Sequence, residues 1–106
     1  MRCWVDIGGT KHFGPGPAEL LELIQESGSI SKAAKKMGMS YKKAWAMIEK
    51  INKRGKQPYV SIHHGGKKGG GTELTPSGKK VLASFNKLNS RLQDIAENEK
   101  ELLTWI

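Results

Sequence analysis

ISKAAKKMGMSYKKAWAMIEK, residues 30–50, contains two short helical patterns joined at a single glycine. Ser31 offers an N-cap for a first helix that Gly38 closes. Ser40 offers an N-cap for a second that runs to about Gly55. Ala33 and Ala34 are small enough to let two helices touch, and Met37 and Met39 bracket the corner with apolar surface. Gly38 sits where the backbone must turn through positive φ. Ala44, Met47, Ile48 and Ile51 recur at three- and four-residue spacing, so one stripe of the second helix is expected to be buried. The opposite face begins with Ser40, Tyr41 and Lys42 and continues through Trp45, Ala46 and Glu49. This pattern is a helix-turn-helix over about 31–54, with the outward face placed to enter a major groove.

The flanks extend that reading. MRCWVDIGGTKHFGPGP alternates apolar and polar residues around Gly8-Gly9 and reads as two short strands. From Pro17, the spacing of Leu20, Leu21, Leu23 and Ile24 predicts a helix that ends at Gly28. Downstream, Tyr59–Ile62 and Thr72–Thr75 read as paired strands, with HHGGKKGGG between them as a hairpin tip. Thr75 and Pro76 suit the N-cap and first position of a last helix running to about residue 105. The expected fold is mainly α with small β elements. It is a single winged helix-turn-helix domain over 1–106, with an N-terminal short β-hairpin, a wing at about 58–75 and a long C-terminal dimerisation helix at about 76–105.

That last helix carries its own signal. Val81, Phe85, Leu88, Leu92, Ile95, Glu99, Leu102 and Ile106 follow alternating spacings of four and three, a heptad seam interrupted only by Glu99. So long a stripe exceeds what a small helical body covers. Its first turns, with Val81, Leu82 and Phe85, are expected to pack on their own domain, and the distal part is expected to meet a second chain. Phe85, Leu88, Leu92, Ile95, Leu102 and Ile106 are the candidate dimer contacts.

Charge points to the partner. The chain carries +8, and residues 29–80 hold 13 of the 18 Lys and Arg against two acids, while the remainder is net −3. A basic face of this kind suits a polyanion, since Lys and Arg that neutralise phosphates release condensed counterions. A phosphate-cradling hydrolase is a poor match. In GGKKGGGTEL neither lysine precedes Ser or Thr, and the threonine begins a strand rather than a helix. Cys3, the single cysteine, has no identifiable base beside it, and with one cysteine and three unpatterned histidines no metal site is expected. No enzyme activity and no cofactor are expected. Nothing approaches an apolar run long enough to span a membrane, and the short apolar stretch in MRCWVDIGG is not a signal peptide, so a cytoplasmic location is expected.

ESGSISKAAKKMGMSYKKAWAMIEKIN followed by GGKKGGGTELTPSGKKVL resembles the N-terminal DNA-binding domain of ModE-type, molybdate-dependent transcriptional regulators, a LysR-like winged helix-turn-helix. The resemblance covers nearly the whole chain. It implies binding of double-stranded DNA as a homodimer through the last helix, with the second helix of the motif in the major groove and the wing alongside. ModE-type regulators continue into a molybdate-binding region, and no oxyanion site is carried over onto these 106 residues. An effector could act through a separate effector-binding chain. The expected DNA-facing set is Ser31, Lys32, Lys35, Ser40, Tyr41, Lys42, Lys43, Trp45, Ala46, Lys67 and Lys68. Within it, Ser40, Tyr41, Lys42, Trp45 and Ala46 are placed for base edges and nearby sugar-phosphate, and Lys32, Lys35, Lys43, Lys67 and Lys68 for positioning on the backbone. Trp45 has two readings, packing against the hairpin or donating its indole N–H to a phosphate. His63 and His64 flank the lysines, and both a phosphate contact and a plain surface position suit them. The alternatives to a sequence-specific regulator are a winged-helix protein-interaction adaptor and a non-specific nucleic-acid-binding protein.

Overall fold

Pro15 and Pro17 open the first helix. In the computed structural model, which describes residues 3–63 and 71–106, α1 spans Pro15–Ser27. It begins two residues before the expected Pro17, because both prolines fit the first turn, where a missing N–H breaks no helical bond. Leu20, Leu21 and Ile24 are fully buried along one stripe, and the Gly28 N–H closes the helix on the Ile24 carbonyl at 2.8 Å. Before α1, β1 (Val5–Ile7) and β2 (Thr10–Phe13) pair antiparallel around Gly8 and Gly9, as the alternation there predicts.

Next come α2 (Ile30–Lys36) and α3 (Tyr41–Arg54). The cap of α2 differs from the expected Ser31. Ser29 holds that position, its Oγ accepting from the Lys32 N–H at 3.1 Å, and Ser31 lies exposed in the first turn. The reason is Ile30. It is buried with Ala33 and Ala34 at helical spacing, so the helix must already include residue 30. Gly38 makes the corner at φ 67, and the Met39 N–H returns to the Ala34 carbonyl at 3.0 Å. Ser40 caps α3 as expected, its Oγ accepting from the Lys43 N–H at 3.1 Å. Ala44, Ile48 and Ile51 are buried on the inner face of α3, and Met37, Met39 and Met47 are half-buried against the core.

A second antiparallel hairpin follows, β3 (Val60–His63) with β4 (Gly71–Leu74), pairing Val60 with Leu74 and Ile62 with Thr72. Each strand lies within one residue of its expected position. Val60 and Leu74 turn into the core while His63 and Glu73 face solvent. Thr75 then caps α4 (Pro76–Glu97), accepting from the Gly78 N–H at 3.0 Å. Gly78 is buried against the hairpin base, where a Cβ would lie 2.1 Å from the Tyr59 carbonyl oxygen.

The last helix is not continuous to residue 105. It stops at Asn98, whose side-chain Nδ2 donates to the Asp94 carbonyl at 2.8 Å, and Glu99 leaves helical geometry at φ −84, ψ 84. A short α5 (Lys100–Trp105) follows. The break falls at the one charged position of the apolar seam. There the amide of Asn98 competes for a helical carbonyl and no buried apolar contact holds the backbone straight. The core gathers α1, α2, α3, the inner strand faces and the start of α4, with Phe13 edge-on to both Phe85 and Tyr59. No helix among the described residues is long and apolar enough to cross a membrane.

Candidate nucleic-acid interface

The alanines of α2 decide how its charges are displayed. With Ala33 and Ala34 packed inward, Ser31, Lys32, Lys35 and Lys36 are all exposed on the other side. The same division operates on α3. Its buried stripe leaves Tyr41, Lys42, Lys43, Ala46, Glu49 and Lys50 exposed, with Ser40 exposed at its head. The N-terminal turn of α3 therefore presents a serine, a tyrosine and two lysines to solvent.

Trp45 lies between these faces. It is half-buried, packs against the core, and meets Tyr41 edge-on with centroids 6.3 Å apart. Trp45 and Tyr41 line a cleft of about 240 Å³ that also includes Ser29, Ser31, Ile62 and His63. Three expected site residues, Ser31, Tyr41 and Trp45, thus converge on one concavity between the α1–α2 corner, the start of α3 and the second hairpin. Trp45 thus both packs on the core and lines the cleft. Lys32 and Lys35 on α2, and Lys42, Lys43 and Ala46 on α3, stand on exposed surface of the same two helices. Lys67, Lys68 and His64 lie outside the described residues.

Backbone and amide groups tie the hairpin to the helices. The Thr72 N–H donates to the Gly28 carbonyl at 3.1 Å, joining β4 to the α1–α2 corner. At the other end Asn52 reaches from the last turns of α3 to β3. Its Oδ1 accepts from the Tyr59 N–H at 2.9 Å and the Val60 N–H at 3.1 Å, and its Nδ2 donates to the Val60 carbonyl at 3.4 Å. The Thr75 hydroxyl donates to the Pro58 carbonyl at 2.6 Å and its N–H to that of Tyr59 at 3.0 Å. These contacts set the hairpin beside α3 without using an exposed side chain of either.

Asn52 and Ser29 were not among the expected site residues. Both were readable in principle. Asparagine is a weak helix former, so one in a helix that otherwise favours Lys, Ala and Ile signals a side chain with a bond to make. Burial of Ile30 would have moved the cap to Ser29. The His63–Glu73 contact, 2.8 Å from Nε2 to Oε1, depends on cross-strand pairing and could not be read from spacing alone.

Electrostatically the surface is lopsided. Between residues 29 and 63 the single acid is Glu49. Among the described residues no Lys or Arg nitrogen lies within 4.0 Å of a carboxylate, so Lys32, Lys35, Lys42 and Lys43 have no carboxylate partner there. Cations held on short helices without protein counter-charges are suited to phosphate oxygens.

Along α4 and α5 the apolar seam divides. Phe85, expected as a dimer contact from its spacing, is buried in the chain's own core against Phe13. That places it with Leu82 in the part of the helix that holds the domain together. Leu92 is half-buried, while Leu88, Ile95, Leu102 and Ile106 are exposed, joined by Leu103 and Trp105.

Comparison with known proteins places this arrangement in context. No family model matches the chain. It is 39% identical over 84 residues to the molybdenum transport protein ModE of Azotobacter vinelandii, covering 79% of this chain and 31% of that protein. It is 39% identical over 91 residues to the molybdenum-pterin-binding protein MopB of Rhodobacter capsulatus, covering 85% and 34%. With the DNA-binding transcriptional dual regulator ModE of Escherichia coli K12 it shares 40% identity over 74 residues, covering 70% and 28%. None of the three is named as an enzyme. The chain spans about a third of the length of the curated relatives it matches. Matched over 70% or more of its own length by proteins named ModE, the Escherichia coli transcriptional regulator among them, the chain is a relative of the ModE-type regulators over the region of about a third of their length that it covers.

Proposed function

We propose that the chain binds double-stranded DNA in a sequence-specific manner and regulates transcription as a homodimer. The observation that carries this reading is the α2–α3 unit. Its inner face is apolar and closed, and its outer face is basic, without carboxylate partners among the described residues, and headed by the exposed turn Ser40–Lys43. In this reading α3 enters the major groove, and Ser40, Tyr41, Lys42, Trp45 and Ala46 meet base edges and adjacent sugar-phosphate. Ser31, Lys32, Lys35 and Lys43 hold the flanking backbone. The second hairpin acts as the wing, and Lys67 and Lys68, which lie outside the described residues, are assigned to the neighbouring phosphates. The name of the Escherichia coli relative, a DNA-binding transcriptional dual regulator, supports the assignment.

Two chains pair through the exposed seam of α4 and α5, which presents recognition helices to two half-sites of a pseudo-palindrome. The names of other relatives refer to molybdenum and pterin. For this chain we place any effector response outside the α2–α3 unit, in a separate effector-binding chain or region.

Selection of bound fragments from random duplex DNA tests the reading. The expected product is an inverted repeat, with affinity that falls steeply as salt rises. Equal retention of all sequences would support a non-specific binder instead. No retention of duplex at low salt would leave a protein-interaction adaptor as the better account.

A further inference from the structure

A concavity of about 640 Å³ opens between the first hairpin, the end of α3 and the first turns of α4. Its apolar lining comes from three strands and helices, with Val5 and Ile7 on β1, Phe13 on β2, and Val81, Phe85 and Leu88 on α4. Packing fixes the aromatic part. Phe13 stands edge-on to Phe85 with centroids 5.1 Å apart, and to Tyr59, which also lines the cavity, at 6.3 Å. The core does not use up this surface. Phe13 and Phe85 are buried, yet Ile7 is 60% exposed and Leu88 42%.

Charge around the cavity has one sign. Arg54 ends α3, Lys56 follows it in the loop, Lys80 stands in α4, and all three are exposed. Among the described residues no Asp or Glu lines the cavity, and none of these cations has a carboxylate within 4.0 Å. The hydroxyls of Ser77 and Ser84 add further donors to the lining. Small-molecule sites have this form, a concave and mostly apolar space of about 300–1,000 Å³ with a few polar groups. Duplex DNA would engage the cations through its phosphates and leave the apolar lining wet. A neutral apolar ligand would fill the space and leave the cations unanswered. The occupant that uses both has an apolar body and an anionic end.

We propose that this cavity binds a small organic acid, its apolar body against Phe13, Val81 and Phe85 and its carboxylate towards Arg54 and Lys80. A guanidinium presents paired N–H donors that match a carboxylate. The long stem of Lys80 lets its ammonium head reach an anion while its methylenes stay on apolar surface. None of the expected DNA-facing residues contributes to the lining, so the site stands independently of the DNA-binding reading.

Fluorescence titration of the full chain with 8-anilinonaphthalene-1-sulfonate tests the site. The rings of this probe supply an apolar body, and its sulfonate stands in for the carboxylate. N-phenyl-1-naphthylamine, with the same rings and no sulfonate, is the neutral comparison. Saturable binding of the anionic probe is expected, with weaker binding of the neutral one and methyl NMR shifts centred on Val5, Ile7, Val81 and Leu88. Arg54→Gln combined with Lys80→Gln should weaken the anionic probe about three- to tenfold, the worth of two exposed ion contacts, and leave the neutral probe unchanged. Retained binding of the neutral probe also shows that the variant is folded. Ile7→Glu sets a carboxylate at an exposed position of the lining and should weaken the anionic probe at least as much. Lys32→Gln combined with Lys35→Gln removes the same charge from outside the cavity and should change neither probe. An equal loss in that last variant would mean general attraction to a basic chain and would overturn the site. Methyl shifts centred elsewhere overturn it too. So does probe affinity that falls as protein concentration rises, because a second copy then covers the cavity.

Discussion

Removing the side-chain amide of Asn52 tests whether the second hairpin is held to α3 in the way the hydrogen bonds indicate. Asn52→Ala deletes two good acceptor contacts, to the N–H groups of Tyr59 and Val60 at 2.9 and 3.1 Å, and one longer donor contact at 3.4 Å. The freed groups are partly buried at the base of β3, beside a Val60 side chain that is only 4% exposed. A stranded N–H in such a place costs about 1–3 kcal/mol. Two of them at the lower half of that range give a loss of about 3 kcal/mol, from which the better helix propensity of alanine returns about 0.5 kcal/mol. The expected net loss is about 2–3 kcal/mol, or a fall in Tm of about 10–20 °C for a domain of this size. Thermal unfolding followed by circular dichroism at fixed protein concentration measures it, since the midpoint of a dimer shifts with concentration. Asn52→Asp serves as the control. It keeps an acceptor for both N–H groups and should lose clearly less. A fall of under about 3 °C for Asn52→Ala, below about 0.5 kcal/mol, would refute the idea that this amide anchors the hairpin.

Other perturbations probe separate parts of the structure. Gly38→Ala places a Cβ at φ 67 in otherwise open space, so the cost is conformational alone, about 1 kcal/mol, measurable by urea unfolding. Gly78→Ala differs in kind, because its Cβ would press on the backbone carbonyl of Tyr59. It should cost more than Gly38→Ala, about 1–3 kcal/mol, and an equal or smaller loss would show that α4 can move off the hairpin freely. Ser29→Ala should destabilise by about 1 kcal/mol and Ser31→Ala by much less, an order that reverses if Ser31 is the cap. For DNA, Lys67→Ala combined with Lys68→Ala should weaken binding to all sequences alike and flatten the salt dependence by about 2 units, as counted from two lost phosphate contacts. A changed sequence preference at unchanged general affinity would move those lysines away from the backbone.

Local signals explain most of what was legible from sequence. The helix pair followed from Ala33, Ala34, Gly38 and Ser40, because small contacts, positive φ and capping each depend on a few adjacent residues. The β3–β4 strands and the Thr75–Pro76 start of α4 were equally local. The errors arose where a distant contact outweighed local chemistry. Two serines compete to cap α2, and only the burial of Ile30 in the core selects Ser29 over Ser31. Phe85 was expected both to pack on its own domain and to serve as a dimer contact by its spacing, and Phe13 from β2, edge-on to it, holds it in the chain's own core. The helix break at Asn98 was hidden because a single glutamate in an apolar seam reads as tolerated, and its effect depends on whether anything packs against that turn. Of the expected DNA-facing residues, the α2 and α3 members other than the half-buried Trp45 are exposed, because helical periodicity separates them from the buried stripe. The concavity of about 640 Å³ between the first hairpin, the end of α3 and the start of α4 combines residues from Val5 to Leu88, and no reading of sequence spacing brings those together.

The hydrogen bonds from Thr72 to Gly28 and from Asn52 to the Tyr59–Val60 backbone leave the exposed positions of α3 without a part in holding the hairpin. Lys42 and Ala46 can therefore be exchanged at little cost in folding. Under the proposed function, a lineage built on this frame can drift towards a new operator one substitution at a time, each intermediate still folded, with stability and sequence preference inherited as separate traits.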